Sequence, residues 1–160
     1  MKVGITRETQ LPTRWIDQGA TQAKPIARVQ TRYFSGLLEV LLAKEVGDRT
    51  AWQTMLKGNG ADQDLEHIRQ QLMSSCAQGI ADLQLQHGEA AFELLEDAPE
   101  TRISYPVLSW PEKVKAHNFD KQAVVEGTLM GIKGQYLMLD TGVLNMRKFG
   151  GYEVEIEVAA

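Results

Sequence analysis

The sequence predicts an α+β chain in two parts, and three observations carry that prediction. Leu65, Ile68, Leu72, Cys76, Ile80 and Leu83 recur at spacings of three and four, the period of one helical face. From Ala123 onward only short alternating runs remain, separated by Gly-containing turns. Between these lies Asp97–Pro111, which Pro99, Pro106 and Pro111 mark as a linker. The expected parts are residues 1–98, an α/β unit with added helices, and residues 101–160, an antiparallel β-meander or half-barrel.

The elements follow in order. Lys2–Thr6 is a short β-type run, and Pro12 suits the first turn of a helix that Gly19 ends. From Ile26 to Tyr33, Ala27, Val29, Thr31 and Tyr33 alternate with Arg28, Gln30 and Arg32, which predicts a half-buried strand with a basic outer side. Ser35 is the expected cap of a helix to about Val46, and Gly47-Asp48-Arg49 ends it. Thr50 caps a short helix from Ala51 to Lys57, and Gly58-Asn59-Gly60 turns the chain. The long helical stripe starts at Asp62 or Asp64, with Gly79 as its expected kink or break. Glu89–Leu95 reads as a further helical piece, and Arg102–Tyr105 as a short edge strand. Four strands close the chain, at Val124–Met130, Gln135–Leu139, Val143–Arg147 and Tyr152–Val158. Their turns fall at Gly131–Gly134, Asp140–Gly142 and Gly150-Gly151.

The apolar fraction is 43 %, ordinary for a globular chain of 160 residues. No apolar run approaches the roughly 18 residues a membrane span needs, and no secretory leader is legible, so cytoplasm is the expected compartment. Cys76 is the single cysteine, which excludes an internal disulfide or a multi-cysteine zinc site; its place in the stripe predicts a buried thiol. The net charge of −4 argues against a broadly basic nucleic-acid binder. Its distribution is uneven: residues 1–59 carry +4, residues 60–100 carry −8 and the rest balance. Only the two ends could offer phosphate a basic face.

Two residues ask for a chemical account. On the helix wheel Glu39 is surrounded by Leu42, Ala43 and Val46, and a carboxylate in an apolar sector needs a cation. An arginine or a divalent metal would answer. A buried Glu39–Arg14 pair would make the corner structural; otherwise Arg14, near the end of the first strand, could grip a phosphate bidentately beside the Thr6 hydroxyl. The C-terminal lysines and arginines, Lys113, Lys115, Lys121, Lys133, Arg147 and Lys148, are interleaved with Tyr136 and Phe149, the composition of a nucleic-acid face. His67, His87 and His117 show no ligand spacing and read as ordinary surface or helix residues.

Val3-Gly4-Ile5-Thr6 followed after seven residues by Arg14, with Glu39 inside Leu37-Leu38-Glu39-Val40-Leu41, resembles the second half of the GIY-YIG nuclease motif. Asn59 falls loosely where that superfamily has a late Asn. Over nearly its whole length the chain also resembles an uncharacterised bacterial family, domain of unknown function 2797, through Lys2–Ala20, Gly131–Leu137 and Asn145–Lys148. The resemblance departs at the start. The superfamily's tyrosine-bearing first strand and the narrower family's upstream Cys-rich segment have no counterpart here, and Lys2 stands at the second motif tyrosine.

The resemblance implies a small GIY-YIG-like α/β unit and a degenerate or truncated metal-dependent phosphodiesterase or nucleic-acid-binding protein. Glu39 would hold Mg²⁺ or Mn²⁺, Arg14 would stabilise transition-state charge, and Tyr33 or a metal-bound water would serve as base. Thr6, Arg28, Arg32, Lys133, Arg147 and Lys148 would contact DNA or RNA. The competing expectation is a non-enzymatic interaction module in which Glu39 and Arg14 pair.

Overall fold

A computed structural model describes residues 1–47 and 51–158. The fold is α+β. Five helices occur among the described residues: α1 (Thr13–Asp17), α2 (Arg32–Leu42), α3 (Trp52–Met55), α4 (Leu65–Ser75) and α5 (Ala77–His87). Seven short strands accompany them: β1 (Gln22–Ala23), β2 (Ala27–Val29), β3 (Phe92–Leu94), β4 (Thr101–Arg102), β5 (Leu129–Lys133), β6 (Tyr136–Leu139) and β7 (Gly142–Asn145). They form three antiparallel sheets, β1-β4, β2-β3 and β5-β6-β7.

The helical stripe forms as its period predicts. Leu38 and Leu42 of α2 meet Leu72, Cys76 and Ile80, and Ala91 and Phe92 close the cluster. The break between α4 and α5 falls at Cys76, not at Gly79. Gly79 lies inside α5 where α2 packs closest: a Cβ there would stand 2.6 Å from Leu41 Cδ1. Absence of a side chain therefore lets the two helices approach, instead of kinking one of them.

Several expected boundaries move. Lys2–Thr6 is no strand, although Val3 still packs on the helical core. The strand expected over Ile26–Tyr33 is only β2, because the Thr31 hydroxyl oxygen accepts from the Phe34 amide at 3.2 Å and starts α2 four residues before the expected cap. Ser35 instead donates to the Arg32 carbonyl at 2.7 Å inside that helix. The expected cap Thr50, and Asp48 and Arg49 of the expected breaker, lie outside the described residues. Glu89–Leu95 is not helical beyond a single 3-10 turn at Glu89–Ala91. Phe92–Leu94 pairs with β2, Ala27 opposite Leu94 and Val29 opposite Phe92, and this buries the Phe92 ring. Of Arg102–Tyr105 only Arg102 is strand, paired with Gln22.

The C-terminal sheet has three strands, not four. Gly131 lies within β5, and the first turn is Gly134-Gln135, with Gly134 at φ +59°. That tip docks on the end of α1: a Cβ at Gly134 would stand 2.9 Å from the Asp17 carbonyl oxygen. Tyr136, Met138 and Val143 face Leu56, Trp52, Val107 and Trp110, with Trp52 stacked parallel on Tyr136 at 5.6 Å. Tyr152–Val158, the most regular alternation in the sequence, makes no ladder and stays exposed. Alternation permits a strand, but a ladder also needs a free edge. Residues 106–108 bond to β5 through Ile132 N to Pro106 O at 3.0 Å, and 115–117 bond to β7 through Val143 N to Lys115 O at 2.8 Å. Both outer edges of the sheet are thereby occupied.

Candidate nucleic-acid interface

No hydrogen bond or ion pair among the described residues joins the side chains expected at the N-terminal corner. Thr6 is exposed, and its hydroxyl donates to the neighbouring Arg7 carbonyl at 3.3 Å. Arg14 in α1 and Glu39 in α2 are both half-buried, and no ion pair joins them. The apolar surroundings of Glu39 therefore do not bury it as the wheel suggested: α2 leaves its carboxylate partly in water beside the exposed Val40. No three His, Cys, Asp or Glu side chains gather into a metal-binding group among the described residues. Glu39 is the single carboxylate that the expected corner would offer a Mg²⁺ or Mn²⁺, and a site of that kind would draw its remaining ligands from water and substrate phosphate. Tyr33 is 64 % exposed, its ring against Phe34 and His87.

Of the two phosphate contacts expected from Arg28 and Arg32, the first is otherwise engaged. Arg28 projects from β2 as the alternation required, but Glu8 and Glu93 hold its guanidinium at 3.0 and 3.1 Å. These hydrogen bonds raise the guanidinium pKa further above its ordinary value. Arg32 is exposed at the start of α2.

Lys133 is buried, with 1 % of its surface exposed. Its Nζ donates to the Gly58 carbonyl at 2.8 Å and lies over the rings of Trp110 (5.0 Å) and Tyr105 (5.4 Å). Burial lowers its pKa below the ordinary lysine value. The Tyr105 hydroxyl, donating toward the Ala20 carbonyl at 2.9 Å and the Ile16 carbonyl at 3.2 Å, is pushed by burial to about 12. This cage is an internal fastening between the 58–60 turn, the 105–110 segment and β5, and no phosphate can reach it.

His117, which reads from the sequence as an ordinary surface or helix residue, is buried outside any helix. The Gln122 amide donates to its Nδ1 at 3.0 Å, so its Nε2 donates to the Thr141 hydroxyl at 3.2 Å, which in turn donates to the Glu126 carbonyl at 2.7 Å. The close neighbour is Gly142, where a Cβ would stand 2.7 Å from His117 Nε2. No residue spacing signals this arrangement; the pairing of residues 115–117 with β7 creates it.

One cluster brings aromatic rings and cations together, with Phe149 as expected and with Phe119 and Tyr152 in place of Tyr136. Phe149 is buried, and Phe119 and Tyr152 pack on it at ring separations of 4.9 and 5.3 Å. The turn Met146–Tyr152 forms this face through Phe149 N to Met146 O at 3.3 Å and Tyr152 N to Phe149 O at 3.0 Å. Asn145 steadies its start by accepting from the Lys148 amide at 3.0 Å. Phe119 is half-buried and Tyr152 is 49 % exposed, so their rings are partly open to solvent. Lys148 Nζ lies 4.8 Å from the Phe149 ring centre, and Arg147 and Lys121 are exposed alongside in sequence. Asp120 sits within the cluster, accepting from the Tyr152 hydroxyl and lying 3.9 Å from Lys148. That carboxylate raises the Tyr152 hydroxyl above its ordinary pKa. Of the sequence-expected contacts, Arg147 and Lys148 belong here. Phe119 and Tyr152 are not legible as members of it: Phe119 joins only through the fold, and Tyr152 reads as the first residue of the expected last strand.

No helix among the described residues is long and apolar enough to cross a membrane. No curated protein and no solved structure matches the chain. The family model described as "Protein of unknown function (DUF2797)" matches residues 1–154, and the chain belongs to that family.

Proposed function

We propose that this protein binds single-stranded nucleic acid on the face formed by Phe119, Phe149 and Tyr152, with Lys121, Arg147 and Lys148 meeting the phosphates. The observation that carries the reading is the partly open ring cluster with a lysine ammonium 4.8 Å from one of its rings. Nucleobases stack on such rings whatever their sequence, at about 1–3 kcal/mol per base, while the cations supply a salt-dependent contribution. Because Phe149 is buried, it serves as the floor that holds Phe119 and Tyr152, and these two rings supply the contact area.

In this reading Glu39 and Arg14, which no ion pair joins among the described residues, lie outside the binding face, and the protein binds its strand without cutting it. The test is fluorescence anisotropy of labelled 12-nucleotide DNA and RNA strands across a salt series. Binding should weaken as salt rises, with a slope of about two to three released counterions. Phe119→Ala and Lys148→Ala should each weaken it about tenfold, the second with a shallower slope. Absence of binding, or binding indifferent to both substitutions, overturns the reading. Bound strands should remain intact with Mg²⁺; cleavage lost in both Glu39→Ala and Arg14→Ala would return the site to the corner.

A further inference from the structure

We infer that the segment Glu153–Val158 is a built-in acidic strap that competes with nucleic acid for this same face. The inference rests on the binding reading above and concerns its regulation. Tyr152 is both a wall of the aromatic cluster and the residue from which the strap departs. Beyond it, Glu153, Glu155 and Glu157 alternate with Val154, Ile156 and Val158. The strap forms no ladder, and Ile156 and Val158 are 74 % and 88 % exposed, so it is not held in the body of the fold. The three glutamates make no hydrogen bond or ion pair among the described residues.

Extended chain advances about 3.4 Å per residue, so Glu157 stays within about 17 Å of Tyr152. Alternation sets the carboxylates about 7 Å apart along one side. Three negative charges are thus tethered within reach of Lys148, the cation that lies over the Phe149 ring beside Tyr152. A tether this short keeps the competitor at an effective concentration in the millimolar range. Asp120 already shows how such an acid engages the face, since it approaches Lys148 and accepts from Tyr152. A bound strand must displace the strap or bear its repulsion.

The test compares the full chain with Glu153→Gln/Glu155→Gln/Glu157→Gln. Its control is Glu45→Gln/Glu89→Gln/Glu96→Gln, which changes net charge equally at exposed sites away from the strap. Anisotropy with the same 12-nucleotide strands is the readout. The strap variant should bind about tenfold tighter than the unmodified chain at 50 mM salt and about twofold tighter at 300 mM, as screening predicts. The control should shift affinity by no more than about twofold. The inference is overturned if both variants shift alike, or if the strap variant binds as the unmodified chain does; the binding reading survives either result. If neither the unmodified chain nor any variant binds, the binding reading falls and the strap with it.

Discussion

The two cores of this protein are closed in opposite ways. In the helical one, Leu38, Leu42, Leu72, Cys76, Ile80, Ala91 and Phe92 meet with no charged side chain among them. Burial raises the Cys76 thiol above its ordinary pKa, as expected of an inert interior sulfur. The sheet side, by contrast, buries an ammonium and an imidazole, Lys133 and His117, each on specific neutral partners. An apolar core depends on volume and tolerates changes of shape. A core with polar inserts depends on hydrogen-bond positions and backbone clearance, and tolerates neither.

The largest effects should come from volume in the helical core. Phe92→Ala removes a fully buried ring and should cost about 3–5 kcal/mol, read from urea midpoints. Leu72→Met, which keeps volume, should cost under about 1.5 kcal/mol. On the sheet side a far smaller change should hurt. Gly142→Ala adds one methyl, yet its Cβ would stand 2.6 Å from the Lys115 carbonyl oxygen, at φ +153°. We expect a loss of about 2–3 kcal/mol, together with loss of slow hydrogen exchange at the His117 amide, which donates to the Val143 carbonyl at 2.9 Å. Equal and small costs for Leu72→Met and Gly142→Ala would abolish the distinction.

The same contrast explains what was legible in the sequence. Helical periodicity reports a continuous apolar stripe, so Leu65–Leu83 and the buried Cys76 could be read directly. The three-residue β3 carries too few residues to show a period and reads as helix, whereas β2, equally short, is legible inside the longer alternation Ile26–Tyr33. Tyr152–Val158 has a clear period and still forms no strand, because both edges of the sheet are covered. Lys133 counted as a surface cation by residue type alone. Its register opposite Tyr136 held the opposite information, since both side chains point to the same buried side. The aromatic face was half legible: Phe149 and Lys148 stood in the right stretch, and Phe119 joined them only through the fold.

A middle-sized effect separates charge from packing at Lys133. Lys133→Met keeps most of the volume and removes the buried ammonium. The lost bond to Gly58 and the ring contacts should nearly offset the relieved desolvation, leaving stability at pH 7 within about 1 kcal/mol. Lys133→Ala leaves a void as well and should cost about 2–3 kcal/mol. The pH dependence gives the sign. The folded pKa of Lys133 lies below its ordinary value, so between the two the unfolded chain holds more protons. Stability of the unmodified protein should therefore rise as pH climbs through that window toward about 10.5, and Lys133→Met should lack the rise. A parallel pH profile in both would mean that the ammonium costs nothing to bury.

The smallest effect belongs to charge left in water. Glu66 on α4 is met by Arg69 at 2.7 Å and Lys24 at 2.9 Å, with 40 % of its side chain exposed. Hydrogen bonds from Arg69 and then from Lys24 hold its carboxyl at about 2, against an ordinary 4.5. Here the folded pKa is depressed, so the contribution is present above the ordinary value and disappears as pH falls from about 4.5 to about 2. Solvent screens a pair this exposed, so the shift overstates its worth to the fold. Glu66→Gln should lower the urea midpoint slightly at pH 7, and the difference should close by pH 2. Added salt should narrow the pH 7 difference, because the pair lies within reach of counterions. At the Lys133 cage salt should do nothing comparable, since its partners are a carbonyl and two rings that exclude water. A Glu66→Gln difference that persists at pH 2 would mean that the side chain packs rather than pairs, and the exposed network would then resemble the buried one after all.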